Sequence, residues 1–184
     1  MRTILMGIGN ILLQDEGVGV HAVKEIEKRY SFEPSIEIID AGTLGLEIMY
    51  MLQDRAMESC FTNGNAENAT HPGVDNLLVV DAVMGGKPPG SLYVFRNEEV
   101  KKYYLKNKLS AHEVGFSEVL ALLDLIGKPV KENLILVGIE PVSFDVSLEL
   151  HEKTASKMED LIKTVLQELQ NIGIKALEKI PSSS

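Results

Sequence analysis

The sequence predicts an α/β fold: a single three-layer domain in which helices cover both faces of a twisted, mainly parallel sheet. Three observations support this prediction. Short apolar runs of strand length recur along the chain, they alternate with segments of helical periodicity, and several of them end on an acidic residue. Buried parallel strands have continuous apolar runs, and strand–helix alternation implies right-handed crossovers between parallel strands.

Each element follows from its own apolar pattern. Continuous apolar runs predict strands over residues 2–9, 36–40, 77–81, 92–95 and 133–139. Apolar residues at helical spacing predict helices over residues 18–30, 44–52, 98–105, 111–126 and 158–172. The strand over 92–95 follows a Pro-Pro-Gly turn and is placed at a sheet edge. The spacing of Ser110 and Glu113 is that of a helix-capping box, and Gly127 ends the same helix.

The domain is predicted to span residues 1–180, with residues 181–184 as a frayed tail. Between Asp54 and Asn76 the periodicity is lost and Asn, Gly, His and Pro dominate, which predicts a surface loop insertion over 54–76. No internal repeat and no second domain is predicted.

Composition limits the partners and the compartment. Acidic residues outnumber basic ones by 27 to 18, a formal net charge of -9, which argues against a nucleic-acid partner. No apolar stretch reaches membrane-spanning length, and the opening apolar run is too short and too broken for a signal peptide. The single cysteine, Cys60, excludes intrachain disulfides and thiolate zinc sites, so we expect a cytoplasmic protein without a membrane partner.

Acidic residues follow several predicted strands. Three strands end on Asp40, Asp81 and Glu140, and Asp15 and Glu16 follow the first strand. Parallel strands bring their carboxyl ends to one edge of the sheet, where ligands bind in open α/β folds. Carboxylates gathered there repel one another, and a bound cation is an economical explanation for them.

His112 supplies a further ligand for such a cation. It lies in the first turn of its predicted helix, where the macrodipole favours the neutral imidazole that metals bind. Glu16, Asp81 and His112 therefore form a candidate site for nickel, zinc, cadmium or iron. For any one of these acids taken alone, a helix cap or a bond to loop amides is an alternative explanation. His21, His71 and His151 are assigned to surface or loop positions.

Several common catalytic motifs are absent from the sequence. It contains no Gly-x-Ser-x-Gly elbow, no His-Glu-x-x-His and no Walker loop. The opening glycines approach a dinucleotide fingerprint, but Leu12 stands where its third glycine belongs and the acids that follow would repel a pyrophosphate.

Five blocks taken together resemble one family, the endopeptidases that mature nickel–iron hydrogenases. The blocks are Gly7-Ile8-Gly9-Asn10-Ile11-Leu12 with Asp15-Glu16-Gly17-Val18-Gly19, Asp40-Ala41-Gly42-Thr43-Leu44-Gly45, Asp81-Ala82-Val83 with Pro89-Gly90, Ser110-Ala111-His112-Glu113-Val114-Gly115-Phe116, and Gly138-Ile139-Glu140-Pro141. They occur in family order and extend from residue 3 to the final helix.

The resemblance implies both an activity and a partner. Such enzymes remove a carboxyl-terminal extension from the precursor of the [NiFe] hydrogenase large subunit after nickel insertion. By motif, Glu16, Asp81 and His112 would contact the metal, and Asp40 would be a further functional acid of this aspartyl-type endopeptidase. The nickel would be supplied by the precursor, and Cd or Zn could occupy the same site. The segment 54–76 is longer than the family pattern.

The resulting hypothesis is that Glu16, Asp81 and His112 complete the coordination of the precursor's nickel and that Asp40 acts as general base. The three carboxylates Asp40, Glu16 and Asp81 are thus the candidate catalytic residues. Two alternatives stay open. One is a non-catalytic, metal-sensing chaperone of the same precursor, and the other is a nucleotide-binding Rossmann-like enzyme. We expect a monomer, because the partner must reach the acidic cleft.

Overall fold

The computed structural model describes residues 1–45, 47–52, 73–106 and 111–179, and for Tyr50 and residues 111–115 it describes the backbone alone. The strands are β1 (Thr3–Ile8), β2 (Tyr30–Glu33), β3 (Glu37–Gly42), β4 (Asn76–Ala82), β5 (Leu92–Arg96), β6 (Asn133–Ile139) and β7 (Lys175–Glu178). The helices are α1 (Val18–Arg29), α2 (Ile48–Leu52), α3 (Glu98–Lys106), α4 (Ala111–Leu125), α5 (Glu152–Ala155) and α6 (Met158–Asn171). A 3₁₀ turn, Gln14–Gly17, precedes α1.

Five strands form the main sheet, in the order β3-β1-β4-β6-β5. The first four are parallel, and β5 pairs antiparallel with β6 at one edge. The predicted α/β fold with a mainly parallel sheet is therefore confirmed, as is the edge position of the fourth apolar run. Outside this sheet, β2 and β7 form an antiparallel pair of their own.

Helices cover both faces of the sheet, because alternate residues of each strand point to opposite sides. On one face, α1 and α6 pack against Leu5, Leu78, Val80, Ile135, Val137 and Ile139. On the other face, α2, α3 and α4 pack against Ile4, Met6, Leu77, Val79, Leu134 and Leu136. Burial on both faces explains why the strands have continuous apolar runs instead of alternating ones.

The structure differs from the predicted elements at a few places. It adds β2, β7 and the short helix α5, which no apolar run indicates. Asn76, assigned to the loop over 54–76, is the first residue of β4 and is fully buried. Its side-chain amide donates to Thr3 Oγ1 at 2.9 Å and its carbonyl accepts from the side chain of Asn133 at 2.8 Å, which explains how a polar residue enters the core.

Some predictions fall outside the described residues. These are the predicted loop from residue 54 to residue 72, the capping Ser110 and the tail over 181–184. Among the helices that the structure describes, none is long and apolar enough to span a membrane.

Candidate active site

Two glycines of the opening motif bring the start of α1 close to the sheet. Gly9 has a φ of +127°, and a Cβ atom there would lie 1.8 Å from the carbonyl oxygen of Glu16. A Cβ atom at Gly19 would lie 2.1 Å from the carbonyl oxygen of Val80 and 2.5 Å from that of Ile8. These positions accept only glycine, so the turn that bears Glu16 is held against the carboxyl ends of β1 and β4.

Glu16 lies in the 3₁₀ turn and is buried, with 8% of its surface exposed. Its position at the carboxyl edge of the sheet agrees with the position predicted for a metal-contacting acid. A buried carboxylate needs charge or hydrogen-bond compensation, and Glu16 does have an interaction partner in the structure.

Asp15, the neighbouring acid, has a structural role. Its Oδ2 accepts hydrogen bonds from the backbone N–H of Val142 at 2.9 Å, that of Ser143 at 3.4 Å and the hydroxyl of Thr154 at 2.7 Å. Its Oδ1 accepts from the backbone N–H of His151 at 2.9 Å. The fully buried carboxylate is therefore satisfied by the segment that follows β6.

Asp81 lies near the carboxyl end of β4 and is fully buried. Its Oδ1 accepts from the backbone N–H of Ala82 at 2.8 Å, and its Oδ2 accepts from the hydroxyl of Tyr104 at 3.1 Å. The ring of Tyr104 packs edge-on against Phe116 of α4, with centroids 4.9 Å apart. Because Asp81 follows the alternation of Val79, its side chain is on the face covered by α3 and α4.

Asp40 lies on the other face. In the register of the sheet it is level with Gly7 and Val80, and Val80 faces α1. Its Oδ2 is 2.7 Å from Nζ of Lys24 on α1, and its Oδ1 accepts from the backbone N–H of Gly42 at 3.1 Å. With 39% of its side chain exposed, Asp40 is accessible to solvent at the same edge of the sheet.

His112 lies in the first turn of α4, which packs on the face that also carries Asp81. Its side chain is outside the described atoms. Among the described side chains, no group of three or more His, Cys, Asp or Glu residues is arranged to hold a metal ion. The imidazole of His112 is not among those side chains, so the trio of Glu16, Asp81 and His112 stays a prediction.

Glu140, the acid that follows β6, also has a structural role, as Asp15 does. It is buried, and its Oε2 accepts from the backbone N–H of Gly85 at 3.0 Å, that of Lys87 at 3.2 Å and the hydroxyl of Tyr93. Burial and the hydrogen bond to Glu140 raise the pKa of the Tyr93 hydroxyl above its ordinary value. The loop that follows β4 is thereby fixed to β5 and β6. Asp15 and Glu140 are thus compensated by hydrogen bonds, so neither needs a cation.

Two histidines differ from the simple surface role assigned to them. His21 on α1 is half-buried, and its Nε2 has no hydrogen-bond partner among the described residues. Burial and the nearby Lys24 lower the pKa of His21, while Asp40 opposes that shift. His151 caps α5, since its Nδ1 accepts from the backbone N–H of Lys153 at 3.2 Å. The i, i+3 spacing of His21 and Lys24 indicates that they share one face of the helix, and the structure places that face near Asp40.

Chemically, this edge of the sheet offers buried carboxylates and an exposed one beside a lysine. Glu16 and Asp81 are oxygen donors of the type that bind divalent metals, and Asp40 is placed where solvent can reach it. Carboxylates of this kind can act as metal ligands or as general bases in hydrolysis.

Comparison with known proteins shows which family the chain resembles. The family model for hydrogenase maturation proteases matches residues 20–168. The chain is 32% identical over 180 residues to the hydrogenase 2 maturation protease of Escherichia coli (strain K12), covering 97% of each chain. It is 35% identical over 144 residues to the hydrogenase expression/formation protein HupD of Bradyrhizobium diazoefficiens, covering 78% of this chain and 65% of that protein.

A solved structure gives the same result. The hydrogenase maturating endopeptidase HybD from E. coli superposes with a TM-score of 0.81 at 32% identity, covering 97% of this chain and 98% of that one. The fold and these relatives define the class of the protein as a hydrolase, an endopeptidase. The chain belongs to the hydrogenase maturation protease family.

Proposed function

We propose that this endopeptidase removes the carboxyl-terminal extension of the [NiFe] hydrogenase large-subunit precursor after nickel has been inserted. The observation that carries the proposal is the pair of buried carboxylates, Glu16 and Asp81, at the carboxyl edge of adjacent elements in a chain of this family. The names of the relatives, which refer to hydrogenase maturation, support the choice of substrate.

In this proposal the nickel is part of the substrate. Glu16, Asp81 and His112 complete its coordination when the precursor docks, so a precursor without nickel lacks a recognition element. Cd or Zn could occupy the same ligands in the laboratory. The fixed orientation of Asp81, held by the Tyr104 hydroxyl and the Ala82 N–H, supports this role because a metal ligand must be preorganised.

Asp40 is proposed as the general base. Its exposure and its ion pair with Lys24 support this role, because the pair fixes the carboxylate while leaving it open to water. Nickel held by Glu16, Asp81 and His112 would polarise the scissile carbonyl. Asp40 takes a proton from the attacking water, whose oxygen adds to the carbonyl carbon. The carbon–nitrogen bond then breaks, and the leaving amine takes up the proton.

The test is cleavage of nickel-loaded and nickel-free precursor, followed by the mass of the large subunit. We expect the wild-type chain to cut only the loaded form. Glu16→Gln, Asp81→Asn and His112→Ala should each lower kcat/KM by about 100-fold, the upper end of the range for loss of a group that orients a metal ligand. Asp160→Asn, an exposed acid on α6, is the matched control and should cleave normally.

The proposal fails if both precursors are cut equally, or if the three variants retain full activity. Binding of the loaded precursor without any change of its mass would instead identify a non-catalytic chaperone. We also propose that the enzyme is a cytoplasmic monomer, supported by its single cysteine and by an acidic edge that must stay open to a protein substrate. Sedimentation equilibrium of the free enzyme tests the monomer.

A further inference from the structure

Two segments at the carboxyl edge of the sheet are joined by backbone hydrogen bonds. Residues 11–13 follow β1, and residues 142–148 follow β6. The N–H of Ser147 donates to the carbonyl of Leu12 at 3.1 Å, and the N–H of Gln14 donates to the carbonyl of Ser147 at 2.9 Å. Leu13 and Ser147 form a parallel bridge. The two segments therefore form one continuous surface.

That surface is unusually apolar for a solvent-exposed region. The exposed fraction is 57% for Leu12, 39% for Phe144, 87% for Val146 and 64% for Leu148. We name the exposed apolar residues of the two segments the apolar platform, which consists of Ile11, Leu12, Val142, Phe144, Val146 and Leu148. Single exposed apolar side chains are ordinary, but several in adjoining segments mark an interaction surface.

The apolar platform is continuous with the candidate active site. Asp15, next to Glu16, binds the backbone of Val142 and Ser143 through its carboxylate, and its own N–H donates to the carbonyl of Ser143 at 3.3 Å. The turn that carries Glu16 and the segment that carries the platform are thus fixed to each other. The apolar platform therefore borders the turn that carries Glu16.

The charged residues around the apolar platform indicate which kind of partner it can bind. Residues 8–17 and 141–152, which contain the apolar platform, include no lysine or arginine. Their acidic residues are Asp15, Glu16, Asp145, Glu149 and Glu152. Of these, Asp145 and Glu149 are exposed within or beside the platform. The surface is therefore complementary to an apolar partner that also carries positive charge.

We propose that the apolar platform is the docking surface for the polypeptide substrate. It binds an apolar segment of the large-subunit precursor with basic side chains beside it, and so delivers the scissile bond to the site. This inference rests on the proposed function for the identity of the substrate. It goes further by assigning substrate affinity to residues that have no part in the chemistry.

The experiment compares the wild-type full-length chain with Leu148→Asp and Val146→Asp. Nickel-loaded precursor is the probe, and both its cleavage kinetics and its equilibrium binding are measured. We expect each variant to raise KM and Kd about tenfold while kcat stays within about twofold, because docking contacts contribute to binding and not to the chemical step. Leu125→Asp is the matched control: it is 81% exposed at the far end of α4 and should leave both constants unchanged.

Two further variants test the apolar and the charge contributions to docking separately. Leu148→Ala, which adds no charge, should raise KM about threefold, and Asp145→Asn should weaken the salt dependence of KM. Unchanged KM and Kd in folded Leu148→Asp would overturn the docking surface while leaving cleavage intact. If wild type binds the precursor without cutting it, the proposed function fails, and weaker binding by Leu148→Asp still supports docking. Dimer formation by wild type, lost in Leu148→Asp, would assign the platform to a second copy of the chain instead.

Discussion

Asp15 and Glu16 are adjacent in the sequence, yet their carboxylates have different surroundings. Asp15 accepts four hydrogen bonds, three from backbone N–H groups and one from a hydroxyl. All four donors lie in the segment after β6, more than a hundred residues away along the chain. This carboxylate therefore holds two distant parts of the active-site edge together, and the substrate contact proposed for the site is assigned to its neighbour Glu16.

Replacing Asp15 with Asn tests this structural role. The amide presents an N–H₂ group to donors that need an acceptor, so we expect the free energy of unfolding to fall by about 3 kcal/mol. Urea denaturation measures the change. Asp145→Asn is the control, since that exposed carboxylate should change stability by no more than about 0.5 kcal/mol. Equal stability of the two variants would show that the Asp15 carboxylate does not stabilise the fold.

The contribution of Asp75 to the stability of the fold should depend on pH. The backbone N–H of Arg2, at 2.6 Å, and then Lys131 hold the pKa of Asp75 below its ordinary value of 3.8. A carboxyl with a lowered pKa in the folded state stabilises the protein above its unfolded pKa, and that contribution is lost as pH falls through the folded pKa. We expect wild type to exceed Asp75→Asn in stability at pH 6, with the difference shrinking between about pH 4 and pH 2. A difference that does not depend on pH would contradict this.

At the scale of elements, the contact between α1 and the sheet depends on Gly19. An added methyl group there meets the carbonyl oxygens of both Val80 and Ile8, which cannot move without disturbing β4 and β1. Gly19→Ala should therefore lower the free energy of unfolding by about 3 kcal/mol, the upper part of the range for overpacking. It should also lower cleavage activity, since α1 and the turn bearing Glu16 move together.

The measurement for Gly19→Ala is thermal unfolding together with the cleavage assay. Glu27→Ala, on the exposed side of the same helix, is the control and should leave both unchanged. Full stability in Gly19→Ala would show that α1 tolerates a shift away from the sheet.

The sequence predicts a strand when the strand's own residues form an apolar run, and it misses a strand that depends on pairing with a distant segment. The five strands of the main sheet agree with the predicted ones within two residues. The central strands β1, β4 and β6 are buried on both faces, which makes them continuous apolar runs, and the partly exposed edge strands β3 and β5 still have short apolar runs. In contrast, β2 and β7 are four residues long and partly exposed, and each finds its partner about 145 residues away. A pairing of that kind leaves no periodic pattern in either segment.

At the scale of the whole molecule, the parallel sheet explains what could be predicted of the site. Acids after parallel strands reach one edge, so the positions of Glu16, Asp40 and Asp81 along that edge follow from the chain order. The compensation of Asp15 and Glu140 could not be predicted, because it depends on contacts with residues far away in the sequence. The metal-binding role of the trio stays a prediction.

A small two-stranded sheet lies at the end of the molecule opposite the site. Helix α1 begins at the carboxyl edge of the sheet and runs away from it, so β2, which follows α1, pairs with β7 at the far end. Lys179 donates to the carbonyls of Glu27 and Arg29, and Arg29 pairs with Glu159 on α6. The bonds of Lys179 join the residue after β7 to α1, and the Arg29–Glu159 pair joins α1 to α6.

A chain ending at Ile174 loses β7 and the hydrogen bonds of Lys179, and it keeps the Arg29–Glu159 pair. We expect the free energy of unfolding to fall by about 2 kcal/mol, which corresponds to roughly 4–8 °C in Tm for a domain of this size. Cleavage of nickel-loaded precursor at a temperature where the shortened chain is folded should keep its wild-type kcat. A chain ending at Lys179 retains β7 and serves as the control, with wild-type Tm. A fall in kcat without a fall in Tm would mean that the far end takes part in the reaction.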